Sequence, residues 1–142
     1  AADGAITWVT PIDYIERTGI PALQEGAERA GRARPPVIAH VPVAVSTDRE
    51  AARQAFRRQF PIYSKLPFYA GMFADAGFPV TESQEMSDAL VDELAVSGDA
   101  AEIRARLKAI RARGIDELLI SHVVVRDEAE ELAELSGLLA AG

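Results

Sequence analysis

Residues 98–121, with the sequence GDAAEIRARLKAIRARGIDELLIS, predict a capped amphipathic helix, a glycine stop and then a strand. Asp99 is a good N-cap, and Glu102 three residues later completes the pattern of a capping box. Three apolar residues then recur at the spacing of one helix face: Ile103, Leu107 and Ile110. Gly114 stands where a left-handed C-cap residue is wanted. A helix that leads into a strand is the repeating half-unit of an α/β protein.

The strand that follows is wholly apolar at residues 118–120, which predicts burial on both faces, as for parallel strands beneath helices. Two earlier segments also have strand character, so strands are predicted over residues 5–9, 37–45 and 117–125. Each strand is followed by residues that favour a helix start: Thr10 and Pro11, Thr47 and Glu50, and Asp127 and Glu130. This repeated order predicts an α/β fold in which the three strands are parallel neighbours.

Helices are predicted after the strands over residues 21–30, 51–60 and 129–139. The stretch 61–98 is an insertion with two further helical segments, 66–76 and 84–94, the second capped near Thr81 or Ser83. Six of the eight phenylalanine and tyrosine residues lie in or beside it: Phe60, Tyr63, Phe68, Tyr69, Phe73 and Phe78. These aromatic side chains either pack the insertion onto the sheet or form a lid or partner surface.

Composition narrows the class of protein. At 142 residues the chain has the size of one domain, and we expect a single α/β domain over residues 1–142. The net charge of −7 argues against a nucleic-acid partner, and no apolar run approaches the roughly 18 residues of a membrane span. The absence of cysteine excludes a disulfide framework and a zinc–thiolate site and agrees with a cytoplasmic location. Because the chain opens with AADG and reaches a strand almost at once, we expect a fragment or a processed product.

Candidate functional residues lie where the predicted strands end, because parallel α/β proteins bind ligands there. This rule selects Thr7, Trp8, Thr10, Ser46, Thr47, Ser121, His122 and Arg126. Thr10, with help from Thr7, predicts an anion site at a helix start, although plain N-capping is the simpler explanation of Thr10. Trp8, the single tryptophan, is either a core residue or the wall of a cofactor site.

The two histidines lead to different expectations. His40 stands in the middle of the second strand and is expected to be a hydrogen-bonded interior residue if its face lines a barrel lumen. His122 stands nearer a strand end and is the better candidate for proton transfer or substrate contact. The chain has no spacing typical of metal ligands, no phosphate-binding glycine loop and no GxSxG nucleophile motif. We therefore expect no metal site.

Several segments in order resemble one family. They are ADGAITW (2–8), in which ADG precedes a strand, IP…EGAERAGR (20–32), VPVAVSTDREAAR (41–53), VSGDAAEIRARL (96–107) and GIDELLIS (114–121). Together they look like the C-terminal half of the bacterial luciferase-like flavin or deazaflavin oxidoreductases. The resemblance implies a partial TIM (β/α)8 barrel, whose last three βα units carry a helical insertion after the seventh strand. It implies FMN or coenzyme F-420, a deazaflavin, held near Thr7–Thr10 and Ser121–Arg126.

The resemblance also implies an activity and partners. The expected function is part of a monooxygenase-like oxidoreductase that transfers hydride or oxygen to a small organic substrate. The catalytic residues remain unknown, because the family's usual catalytic groups lie in the half of the barrel that precedes this sequence. The alternative is a non-catalytic half-barrel that acts in assembly or ligand binding. Either way, the exposed edges of a partial barrel predict a homo-oligomer or pairing with an N-terminal half.

Overall fold

The computed structural model describes residues 3–140, so Ala2 of the ADG motif lies outside the described residues. Within them are four strands: β1 (Ala5–Thr7), β2 (Val37–Val45), β3 (Val96–Gly98) and β4 (Glu117–His122). The helices after β1 and β2 are α1 (Ile12–Tyr14), α2 (Ile20–Arg29), α3 (Arg49–Gln59), α4 (Pro67–Asp75) and α5 (Asp88–Leu94). The last two helices are α6 (Ala100–Arg111) and α7 (Glu128–Ala140). A π-helical turn, Ile15–Gly19, joins α1 to α2, and a 3₁₀ turn, Tyr63–Lys65, precedes α4.

Strand β2 is the centre of one parallel sheet. It pairs in parallel with β4 along residues 38–43, with β1 at residues 37–39 and with β3 at residues 43–45. Ile38 and Ala39 of β2 pair with both β1 and β4, and Val43 pairs with both β3 and β4. A strand residue has one neighbouring strand on each side, so β1 and β3 both lie on the edge of β2 opposite β4. The predicted parallel arrangement of the three strands is therefore confirmed, with β1 and β4 shorter than expected.

The two faces of the sheet have different neighbours. On one, the helix face, alternate β2 residues from Val37 to Val45 pack against α6, α7 and the Ile12–Ile15 turn. On the other, the open face, His40, Pro42 and Ala44 alternate with them, and the registers place Ile6, Leu119 and Ser121 on the same side. The insertion covers the carboxyl end of the open face, where Ala44 packs in a cluster with α3, α4 and α5. The amino end is uncovered: Ile6 is 65% exposed and Leu119 41%.

Two predictions about strands are wrong. Strand β4 is half exposed rather than buried on both faces, because it lies at the edge of the described sheet and part of both its faces is uncovered. Strand β3 was not predicted, because three residues between two helices carry almost no periodic pattern. It ends at Gly98, whose φ of +148° strains any other residue, and an added Cβ would lie 2.8 Å from Cβ of Glu102.

Local capping follows the sequence in some places and not in others. The capping box of Asp99 and Glu102 is complete, Asp127 accepts the amide proton of Glu130, and Gly114 has a φ of +87°. The predicted capping role of Thr47 is wrong, because Asp48 caps α3 by accepting from the amide of Ala51. The caps predicted for the second inserted helix are also wrong, because the chain makes a turn at residues 81–84 and Ser87 then caps the shorter α5.

The aromatic residues of the insertion pack it onto the sheet. Phe60 and Phe73 are buried, and Tyr63, Tyr69 and Phe78 pack partly buried against the same cluster. Phe68 differs, since it is 76% exposed. The packing interpretation is confirmed for all of these residues except Phe68. No helix in the described part of the chain has the length and apolar character needed to span a bilayer.

Candidate functional site

A stacked pair of rings marks the open face where the insertion begins to cover it. The indole of Trp8, one residue beyond β1, lies parallel to the imidazole of His40 with 3.7 Å between ring centroids and 7° between planes. Phe60, at the end of α3, meets His40 edge-on with 5.8 Å between ring centroids. His40 is 2% exposed, whereas Trp8 keeps 40% of its surface open. The stacked pair thus offers an aromatic surface with a buried polar ring behind it.

The hydrogen bonds of His40 determine which ring nitrogen carries the proton. The backbone amide of Val9 donates to Nδ1 at 3.4 Å, so Nδ1 is the acceptor. Nε2 then carries the proton and donates to Oγ of Ser121 at 2.8 Å. Burial lowers the pKa of His40 to about 4, so the ring is neutral at pH 7. The expectation that His40 is a hydrogen-bonded interior residue is confirmed.

The backbone at Val9 is strained in a way that serves this arrangement. Val9 has a φ of +47°, a conformation that is a true outlier for a β-branched residue, and its side chain is fully buried in the aromatic cluster. The turn at Val9 directs its amide towards His40, and the preceding residue, Trp8, stacks on the same imidazole. Strain of this kind persists where surrounding contacts over-determine it, and it is concentrated at functional sites.

The insertion contributes a wall that sequence reasoning did not assign to the site. The indole Nε1 of Trp8 donates to the phenol oxygen of Tyr63 at 2.8 Å. Tyr63 in turn meets Tyr69 edge-on at 4.9 Å. The sequence signal was the concentration of aromatic residues between the second and third predicted strands, but nothing in it indicated that Tyr63 would reach Trp8.

Thr7 and Thr10, the predicted site residues at the end of β1, bond to backbone carbonyl groups instead of capping a helix. The Thr10 hydroxyl donates to the backbone carbonyl of Trp8 at 3.0 Å, and the Thr7 hydroxyl makes a long bond to the carbonyl of Ile38. The N-cap role of Thr10 is wrong, because α1 begins after Pro11 without a side-chain cap. The Glu93 carboxylate accepts from the amide of Asp13 at this helix start. An anion site at Thr7 and Thr10 stays a prediction.

Beyond β4, the buried carboxylate of Glu131 accepts hydrogen bonds that hold the segment leading to α7. Glu131, 1% exposed, accepts from the amides of Val125 and Arg126 at 2.9 Å each, from Nε of Arg126 and from Nε2 of His122, both at 3.2 Å. Burial alone would raise the pKa of Glu131, but these hydrogen bonds outweigh it and lower the pKa. His122 is the register partner of Val43, so it faces α7 on the helix face, away from Ser121. The Arg126 side chain remains 69% exposed.

The structure therefore brings Trp8 and Ser121 together around His40 and separates them from His122. Within residues 3–140, no group of three histidine, aspartate or glutamate side chains could hold a metal ion. The geometry instead suits a flat organic ligand: an exposed indole, apolar neighbours at Ile6 and Leu119, and hydroxyl groups on Ser121 and Tyr63.

Comparison with known proteins shows the family and the fold. Residues 1–117 match the sequence model of a family described as luciferase-like monooxygenase. The chain belongs to the luciferase-like monooxygenase family. Among solved structures, the luciferase-like chain is similar to an F420-dependent secondary alcohol dehydrogenase in complex with an F420-acetone adduct. The TM-score is 0.74 at 17% identity, over 99% of this chain and 43% of the other. Comparison with curated protein sequences gives no significant match.

Family membership and the structural similarity confirm the resemblance and the fold class. The luciferase-like chain has the architecture of part of a TIM barrel and spans less than half the length of the similar dehydrogenase chain. In such a barrel the helices lie outside and the side chains of the opposite sheet face point inward. The helix face is then the outside of the barrel. The open face, with Trp8, His40 and Ser121, is the inside.

Proposed function

We propose that this chain forms the part of a flavin- or deazaflavin-dependent oxidoreductase that holds one side of the cofactor against Trp8. The stacked Trp8–His40 pair on the inward face carries this proposal. The pair lies towards the carboxyl ends of parallel strands, where TIM-barrel enzymes bind their ligands. Membership of the luciferase-like family supports a redox cofactor, and the F420-dependent dehydrogenase with the same fold favours coenzyme F-420 over FMN.

The residues present fit such a cofactor. A planar ring system needs an aromatic or apolar wall, which the exposed part of Trp8 provides. The hydroxyl groups of Ser121 and Tyr63 can reach polar atoms at a ring edge, and Arg126 beyond β4 presents an exposed guanidinium to a phosphate group. We therefore assign cofactor contact to Trp8, Ser121 and Arg126. Cofactor contact by Thr7, Thr10 and His122 stays a prediction.

The cofactor and the side chains of the chain have different tasks in this proposal. When bound, the cofactor supplies the hydride or the activated oxygen that is transferred to a small organic substrate. The chain itself orients the ring system and excludes water through aromatic side chains, among them Phe60 at the end of α3 and Tyr63 of the insertion. His40, neutral at pH 7 and hydrogen-bonded on both nitrogens, holds a proton at Nε2 rather than exchanging it.

Titration with oxidised FMN and with coenzyme F-420 tests the proposal, because Trp8 is the single tryptophan and its fluorescence reports on the site itself. We expect one cofactor to quench Trp8 emission saturably. Trp8→Leu, followed by the cofactor's own emission, should weaken binding about two- to tenfold, the effect of one aromatic stacking contact. Phe68→Leu, a loss of an exposed aromatic residue in the insertion, should leave affinity unchanged. Unaltered Trp8 emission with both cofactors would contradict the proposal and favour the non-catalytic half-barrel.

A second proposal concerns partners. Ile6 and Leu119 leave apolar surface open, and within residues 3–140 no strand pairs with the outer edge of β4. Covering a few hundred Å² of such surface stabilises an assembly by several kcal/mol, at about 25 cal/mol per Å². We propose that a second copy of the chain or the remainder of a barrel covers it. If a second copy covers it, sedimentation equilibrium of the chain alone should show species heavier than 15.3 kDa. If the remainder of a barrel covers it, the chain alone should not persist as a folded monomer. A well-folded monomer at tens of micromolar would contradict both.

A further inference from the structure

Two hydroxyl groups on the open face share a constraint, because each already accepts a hydrogen bond from a group that can only donate. Oγ of Ser121 lies 2.8 Å from Nε2 of His40. That nitrogen carries the single proton of the neutral ring, since Nδ1 receives the amide proton of Val9. The Ser121 oxygen is therefore the acceptor in this bond. Its own proton is left for another partner.

Tyr63 is constrained in the same way from a different element. The indole N–H of Trp8 is a donor with no acceptor capacity, so the phenol oxygen of Tyr63 accepts at 2.8 Å. Within residues 3–140, neither hydroxyl has an acceptor for its own proton. Two hydroxyl protons therefore lie beside the stacked Trp8–His40 pair without a partner in the described residues: that of Ser121 on β4 and that of Tyr63 in the insertion. The His40 ring between them is neutral at pH 7, because burial lowers its pKa to about 4.

We propose that Ser121 and Tyr63 donate hydrogen bonds to carbonyl oxygens of a ligand on the open face, and that His40 and Trp8 are positioning residues that impose this polarity. A neutral acceptor is favoured over an anion, because none of these four side chains carries a positive charge that would form a charge-assisted hydrogen bond with an anion. A ligand that only donates, such as an ammonium ion, would find no acceptor here. The inference rests on the proposed function, and the carbonyl can belong to the cofactor ring or to an organic substrate.

The tautomer of His40 tests the first step independently of any ligand. In the chain labelled with ¹⁵N-histidine, the Nε2 of His40 should appear as the protonated nitrogen and Nδ1 as the bare one at pH 7. Ser121→Ala should leave this assignment in place, because the amide of Val9 still donates to Nδ1. A proton on Nδ1, or a doubly protonated ring at pH 7, would overturn the proposal.

Binding tests the second step with two kinds of probe. One arm measures FMN and coenzyme F-420, and the other follows butanone and sec-butylammonium by NMR shifts of the residues on the open face. Ser121→Ala and Tyr63→Phe should each weaken the carbonyl-bearing probe about three- to tenfold, the usual effect of one lost hydrogen bond. Ser121→Thr, which keeps a hydroxyl, should restore affinity. Ser136→Ala on α7 is the matched control, because Ser136 is exposed away from the open face and its hydroxyl already donates to the backbone carbonyl of Leu132.

Each outcome has a defined meaning. A loss confined to the cofactors assigns the carbonyl to the cofactor ring, and a loss confined to butanone assigns it to the substrate. If the wild type binds neither cofactor but binds butanone in a Ser121-dependent way, the proposed function fails and this inference stands. Preference for sec-butylammonium, failure to bind any carbonyl probe, or affinities unchanged by both variants would overturn the inference.

Discussion

Replacing Phe73 by alanine is expected to lower the free energy of unfolding of the chain by about 3–5 kcal/mol. Phe73 of α4 is fully buried in the cluster that joins the insertion to the open face. Its ring lies 6.0 Å from that of Tyr69, which leads on to Tyr63 and the stacked pair. Removing it opens a cavity next to the wall of the candidate site, and the surrounding helices can collapse into it only in part.

Phe68 offers a matched control on the same helix, since it is 76% exposed. Phe68→Ala should change the free energy of unfolding by no more than about 0.5 kcal/mol. Urea unfolding followed by circular dichroism measures both variants. The protein concentration is held equal, because any association adds to the apparent stability. Equal losses for the two variants would contradict an α4 that turns Phe73 inward and Phe68 outward.

Replacing Glu131 by alanine is expected to cost about 3 kcal/mol of unfolding free energy, because buried donors left without an acceptor cost about 1–3 kcal/mol each. The carboxylate accepts hydrogen bonds from the amides of Val125 and Arg126 and from Nε2 of His122. It therefore fixes the path of the chain between β4 and α7. Glu130→Ala, one residue earlier and exposed, is the control and should have little effect.

The pH dependence gives a second check on Glu131. Its pKa is lowered in the folded chain, so the ionised carboxylate stabilises the fold above the ordinary glutamate pKa. That contribution is lost as the pH falls through the lowered folded value. The stability difference between the wild type and Glu131→Gln should therefore be largest near pH 7 and shrink below about pH 4. A difference that does not vary with pH would show that the carboxylate is not ionised in the folded chain.

The sequence by itself determined the features that depend on neighbouring residues. The capping box at Asp99 and the left-handed Gly114 rest on contacts within a few residues, so their types and spacing were sufficient. The parallel arrangement of β1, β2 and β4 followed from the repeated strand–helix order, because right-handed crossovers allow little else. The resemblance to luciferase-like proteins was carried by such local segments and is confirmed.

Tertiary structure decided where those elements meet. Whether the apolar strand β4 is buried or at an edge depends on which strands lie beside it, and its own residues do not encode that. The contacts that build the candidate site join residues 31, 55 and 81 positions apart: Val9 to His40, Trp8 to Tyr63, and His40 to Ser121. Helical or strand periodicity carries no information at such separations. Only the folded chain shows that His40 is neutral with its proton on Nε2, because burial and the strained amide of Val9 together produce that state.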